Sequence, residues 1–163
     1  MIQKMDIPIE RADAGDATAI LRLQLLAYQS EAEIYNNYNI PPLTQSLAEI
    51  EKEFLSHTFL VARQDGEIIG SVRAATRDGR CHIGKLIVHP DHQRQGLGAQ
   101  LVATIEAAFP EVRYFELFTG HRSERNLRLY NRLGYREFKR EPAAPGLHVV
   151  YLEKPNAAPA SNP

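Results

Sequence analysis

Between Leu86 and Ala99 the chain reads LIVHPDHQRQGLGA, and no other stretch limits the possible folds so sharply. A strand pattern that starts at Arg80 ends with Val88. His89-Pro90 closes it, because proline has no N–H to give to a ladder. Gly96 and Gly98 then open a segment to Phe109 in which Leu97, Leu101, Val102, Ile105 and Ala108 share one helical face. The amides of a first helical turn lack intrahelical partners. The helix dipole adds about half a positive charge at the same end. Strand, polar turn and glycine-opened helix therefore make a cradle for an anion the size of a pyrophosphate. Gln93, Arg94 and Gln95 add side-chain donors to it.

The rest of the chain supplies alternating elements around this unit. Ile7 to Arg11 reads as a strand, and Asp13 and Asp16 are candidate caps for a helix carrying Ile20, Leu21, Leu23 and Leu25. The segment from Ser30 to Pro42 holds two tyrosines and two glutamates before a Pro-Pro stop, and a second helix starts at Thr44 or Ser46. The period then changes to two. Strands over 58–63, 67–75 and 80–88 are joined by Asp65-Gly66 and Asp78-Gly79, both hairpin turn pairs. After the glycine-opened helix come a strand over 113–119, a helix capped by Ser123 and stopped by Gly134, and an antiparallel pair over 135–140 and 147–153. The order β-α-α-β-β-β-α-β-α-β-β predicts an α/β (α+β) fold with a mixed sheet and helices on both faces. One domain over residues 1–154 and a disordered tail over 155–163 are expected.

Three phosphate patterns compete for the glycine turn. A P-loop needs Lys-Ser/Thr after its last glycine, which is missing here, and a dinucleotide fingerprint needs GxGxxG. The sequence Gln93-Arg94-Gln95-Gly96-Leu97-Gly98, preceded by Val88-His89-Pro90, instead resembles the Gln/Arg-x-x-Gly-x-Gly/Ala loop of the GNAT acetyltransferase family. Asn126, Tyr130, Gly134 and Tyr135 resemble that family's Asn-x-x-x-Tyr-x-x-x-Gly-Phe/Tyr helix. The resemblance implies acetyl-CoA as cosubstrate and direct acetyl transfer to a primary amine of a small molecule or peptide. It places pantetheine on the backbone of Leu86, Ile87 and Val88 and against Asn126. It places pyrophosphate on residues 93–99, including Leu97 and Ala99, and makes Tyr130 the acid that protonates the departing thiolate. A non-catalytic acyl-CoA-binding module on the same fold is the alternative.

The base and the acceptor site stay open at this stage. Glu116 stands between Tyr114 and Phe118 on one strand face, where a raised pKa would suit a base; an ordinary hydrogen-bonded glutamate is the other reading. His82 alternates onto the face of Gly84, Leu86 and Val88 and is a second candidate. Glu31, Glu33, Tyr35 and Tyr38 offer acidic and aromatic groups to a cationic amine, and His121 follows the strand that borders the site. Arg122 and Arg125 are weaker candidates for the 3′-phosphate of CoA. Cys81 is the only cysteine, so neither an intrachain disulfide nor a cysteine-based zinc site can form, and no metal is expected. His82, its neighbour, points to the opposite strand face and is badly placed to activate it.

Charge excludes other classes. Nineteen Lys and Arg against 20 Asp and Glu leave a formal charge of −1, which gives no field to draw the chain onto nucleic acid or an anionic membrane. The N-terminus lacks an apolar signal segment, so a cytoplasmic protein is expected, and homodimers are common in the family it resembles.

Overall fold

The computed structural model describes residues 7–157. Of the tail expected over 155–163, residues 158–163 lie outside the described residues. In chain order the elements are β1 (Ile9–Arg11), α1 (Ala17–Ala27), α2 (Gln29–Tyr35), α3 (Pro41–Thr44), α4 (Leu47–Glu53), β2 (Thr58–Gln64), β3 (Glu67–Arg77), β4 (Arg80–Val88), α5 (Leu97–Ala107), β5 (Tyr114–Gly120), α6 (Glu124–Arg132), β6 (Arg136–Ala144) and β7 (Leu147–Pro155). The strands form one sheet in the order β1-β2-β3-β4-β5-β7-β6. Every pairing is antiparallel except β4 with β5.

Strand alternation divides the core between two faces. Phe59 and Val61 of β2 pack with Ile20 of α1, whereas Leu60 and Ala62 pack with Leu97, Leu101, Val102 and Ile105 of α5. The mixed sheet with helices on both faces is thus the architecture expected from the order of elements. The Asp65-Gly66 and Asp78-Gly79 turns have positive φ at both residues, which matches the twist of the strands they join.

Local differences have local causes. The segment after α1 is more helical than its composition suggests. α2 ends at Asn36, which adopts φ +48, and prolines at its first positions start α3. Ser46 starts α4 through a reciprocal box, its Oγ accepting the Glu49 N–H at 3.2 Å. Ser123 precedes α6 without capping it, because its hydroxyl bonds to Glu31 and Tyr35 instead. The last strand continues through Pro155, paired with Tyr114, and Asn156 donates to the carbonyls of Pro110 and Val112. Residues 155–156 therefore belong to the folded body, two residues beyond the expected boundary.

Candidate active site

β4 and β5 pair at three positions only, Arg80 with Tyr114, Cys81 with Phe115 and His82 with Glu116. Beyond them β4 stays on β3 and β5 stays on β7, so the two strands part. The parting coincides with a bulge in β4. Lys85 takes φ +48 and the register with β3 shifts there. An extra residue bends a strand and reverses which side chains face which layer. This overturns the expected face of His82. Leu86 and Val88 pack toward the α5 core, while His82 lies across the sheet from them, near Glu116.

The bulge also decides which backbone groups face the gap. The His89 N–H bonds to Ile69 O at 2.8 Å, toward β3. Alternation then turns the Ile87 backbone to β3 as well and points the N–H groups of Leu86 and Val88 at the gap. The Val88 carbonyl is not free, because it accepts from Gln93 Nε2 at 3.2 Å.

Gln93 closes the turn that follows. Its other amide atom accepts from Arg125, which brings α6 to the loop. Arg94 and Gly96 adopt φ +65 and +83, and Arg94, Gln95 and Gly96 are exposed. Gly96 precedes α5 without any side-chain cap, and the first intrahelical bond is Gln100 N to Gly96 O. The amides of Leu97, Gly98 and Ala99 are left as the donors of a helix N-terminus. Gly98 differs from Gly96, since a Cβ there would sit 3.5 Å from Leu129 and 3.8 Å from Leu86, an ordinary contact. The packing of α5 against α6 and β4 therefore has room for a methyl group at this position.

α6 carries Asn126 and Tyr130 four residues apart on one face. Asn126 Nδ2 donates to Thr119 Oγ1 at 3.2 Å and lies 3.5 Å from Glu31 Oε1. One turn on, Tyr130 is buried against Tyr135 at a ring distance of 6.2 Å. Burial raises its hydroxyl pKa well above the usual tyrosine range, with lesser contributions from Tyr28 and Glu31. It therefore stays protonated at any physiological pH.

The structure sorts the acceptor candidates. Glu31 and Tyr35 are four residues apart on α2 and share a face. Glu31 Oε2 accepts from Ser123 Oγ. Tyr35 Oη lies 2.9 Å from the same Oγ and accepts the Arg122 N–H at 3.0 Å. The His121 ring lies tilted beside Tyr35, with centroids 6.1 Å apart. Its Nδ1 accepts the His148 N–H at 2.9 Å, so in the neutral ring the proton sits on Nε2. Glu33 and Tyr38 are exposed and stand apart from this cluster. In the sequence Ser123 reads as a helix cap, and neither Thr119 nor Tyr28 is singled out for the site. Two hydroxyls and a tyrosine without motif context carry no signal until the fold joins α2 to the end of β5.

His82 and Glu116 lie at the zipped end of the strands. His82 is four to six residues from Leu86–Val88, roughly 13–20 Å along a strand. Glu116 is not a carboxylate isolated among aromatics. It accepts from Arg80 Nε at 2.9 Å, and Arg80 also binds Glu153 and lies over the Tyr114 ring. Its charge is committed to that ion-pair network. Cys81 is buried behind it, and burial pushes its thiol up to about 12, a value at which the nucleophilic thiolate is scarce.

Comparison with known proteins places this arrangement. The model of the acetyltransferase (GNAT) family matches residues 23–135. The UPF0157 protein YqkA of Bacillus subtilis is 29% identical over 140 residues, which are 85% of this chain; the chain spans 40% of that relative's length. The PaiA N-acetyltransferase of Thermoplasma acidophilum, solved with coenzyme A, superposes with a TM-score of 0.77 at 14% identity, covering 93% of this chain and 99% of its own. The ribosomal-protein-S18-alanine N-acetyltransferase of Escherichia coli gives 0.75 at 18%, covering 97% and 99%. YncA of Salmonella typhimurium, solved with acetyl-CoA, gives 0.71 at 20%, covering 97% and 98%.

Proposed function

Because this chain belongs to the GNAT acetyltransferase family, we propose that it moves the acetyl group of acetyl-CoA directly to an amine. The observation that carries this reading is the gap between β4 and β5, opening at the same end as the uncapped N-terminus of α5. The donor set suits the molecule. Amides at Leu97, Gly98 and Ala99 suit its pyrophosphate, and the N–H groups of Leu86 and Val88 suit the peptide-like pantetheine arm. When bound, acetyl-CoA supplies the acetyl group as a thioester.

In this reading each residue has a limited task. The Val88 N–H faces the gap and stabilises negative charge developing on the acyl oxygen. With Glu116 held by Arg80, Glu31 is the carboxylate beside Asn126 that holds the incoming ammonium and takes its proton. Tyr130 gives its phenolic proton to the leaving sulfur and is reprotonated by the second proton that the amine nitrogen sheds as the amide forms. His121, with its proton on Nε2, donates a hydrogen bond to the acceptor and does not act as base. No covalent enzyme intermediate is needed.

Calorimetry with acetyl-CoA, followed by thiol release in the presence of an amine panel, tests the proposal. Micromolar binding and amine-dependent release are expected. Binding without release from any amine would favour a non-catalytic acyl-CoA module, and no binding at millimolar acetyl-CoA would remove the transferase reading.

A further inference from the structure

On the α1 face, Arg73 of β3 reaches over Gly84 of β4. A Cβ on Gly84 would lie 3.9 Å from the centre of the guanidinium, so the bare glycine gives it room. Gly84 is in the stretch of β4 that β5 has already left. The cation therefore sits at the margin of the gap.

Arg73 uses little of its hydrogen-bonding capacity. A guanidinium has five N–H donors in a planar fork. Its ion-pair partner is Glu53, the last residue of α4, with Nη2 at 3.3 Å from Oε2. Its Nε is buried without a partner, alone in this among the described side chains. Glu53 is shared besides, since Lys85 Nζ lies 3.4 Å from its other oxygen. Two half-buried cations thus face one carboxylate. Lys85 is further engaged by Gln45, which Gln24 also bonds, so Lys85 is the better satisfied of the two.

Glu31 reaches Ser123 and Asn126 just past the end of β5, while Arg73 reaches Gly84 on the β4 side of the gap. Tyr28, half-buried between α1 and α2, feels both groups. Burial raises its hydroxyl pKa, the Glu31 charge raises it further, and Arg73 opposes the rise. Independently of that shift, the contacts flank the gap with a carboxylate bonded to Ser123 and Asn126 on one side and an under-used guanidinium over β4 on the other.

We infer that the acceptor is an amine that also carries a carboxylate, with its ammonium at Glu31 and its carboxylate on the Arg73 fork. A planar carboxylate matches a guanidinium fork in geometry and supplies the missing negative charge. An amine without an anionic group would leave Arg73 as it stands. This inference rests on the transferase reading and extends it to the acceptor's class.

The test measures thiol release with α-amino acids and ω-amino acids from β-alanine to 6-aminohexanoate, each against its own carboxamide. At least one free acid is expected to exceed its carboxamide about tenfold or more in kcat/KM. Arg73→Gln should bring that ratio close to one through KM, with acetyl-CoA affinity unchanged by calorimetry. Glu53→Gln removes the competing carboxylate and should lower KM for the free acid several-fold, a direction that loss of structure would not produce. Calorimetry of the same acids on protein saturated with CoA should show the same preference without turnover. Equal rates for acid and carboxamide, a preference that survives Arg73→Gln, or no release from any free acid would overturn the inference. If acetyl-CoA binds and another amine still releases thiol in those cases, the transferase reading stands; if acetyl-CoA does not bind, that reading falls first.

Discussion

Tyr35 occupies the space that a side chain on Gly120 would need: a Cβ there would fall 2.0 Å from the Tyr35 hydroxyl. One glycine at the end of β5 thereby allows α2 to close over the strand. The hydroxyl it admits ties Ser123 and the Arg122 amide to α2. This contact joins α2, the proposed acceptor side, to the start of the helix that carries Asn126 and Tyr130.

Gly120→Ala should therefore push Tyr35 out while leaving the cofactor loop intact. Overpacking of this kind costs about 1–3 kcal/mol. A lower melting temperature is expected, with acceptor KM raised about tenfold and acetyl-CoA affinity unchanged. A variant with normal acceptor KM would show that α2 does not shape the acceptor site.

Gly96 and Gly98 should answer differently to alanine. Gly96 has φ +83, a conformation that costs a side-chain-bearing residue roughly 1–2 kcal/mol. Gly96→Ala is expected to lose that much stability and to weaken acetyl-CoA binding. Gly98 sits in the first turn of α5 with room for a methyl group, and alanine favours a helix by up to about 1 kcal/mol. Gly98→Ala should melt at the same temperature or higher. Denaturant unfolding and calorimetry on the two variants separate these outcomes.

Tyr130→Phe should lower kcat by about a hundredfold, the lower range for loss of a positioned acid, without changing acetyl-CoA affinity. The buried phenol also predicts that the alkaline limb of the wild-type rate profile lies above pH ~10, the ordinary tyrosine value. Equal turnover in the variant would deny Tyr130 the acid role.

Alkali should destabilise the fold through three tyrosines. The hydroxyls of Tyr28, Tyr130 and Tyr135 all have raised pKa values, with burial as the main cause. Tyr135 also donates to Glu106 at 2.7 Å. A raised folded pKa means the native state holds protons that the unfolded chain has lost. Its stabilising effect is complete below pH ~10 and is lost as pH climbs from there through the folded values. Ultraviolet titration should show Tyr28, Tyr130 and Tyr135 ionising only as the protein unfolds.

Cys81 should be dispensable for chemistry. It is fully buried, and its thiol is pushed up to about 12. Cys81→Ala should keep its turnover number, and alkylating reagents should leave the folded wild type unmodified. A large loss of turnover without a loss of stability would reopen an acyl-enzyme route.

The motif around Gly96 and the helix from Asn126 to Tyr135 were legible in the sequence because their chemistry is local. A positive φ, an uncapped helix start and a four-residue spacing are set by residues close together in the chain. Alternating apolar patterns likewise gave the strands and the two-faced sheet. The face of His82 was not legible, because alternation assumes an unbroken strand and the bulge at Lys85 breaks it. Nor was the commitment of Glu116, since Arg80 reaches it from 36 positions away. Glu31 meets Ser123 across 92 positions and Arg73 meets Gly84 only through strand register. Backbone propensity and side-chain spacing act over a few residues, and so the sequence by itself determined the elements and the loop at the start of α5. Which charges face one another depends on strand order and on one extra residue in β4, and only the folded sheet decided that.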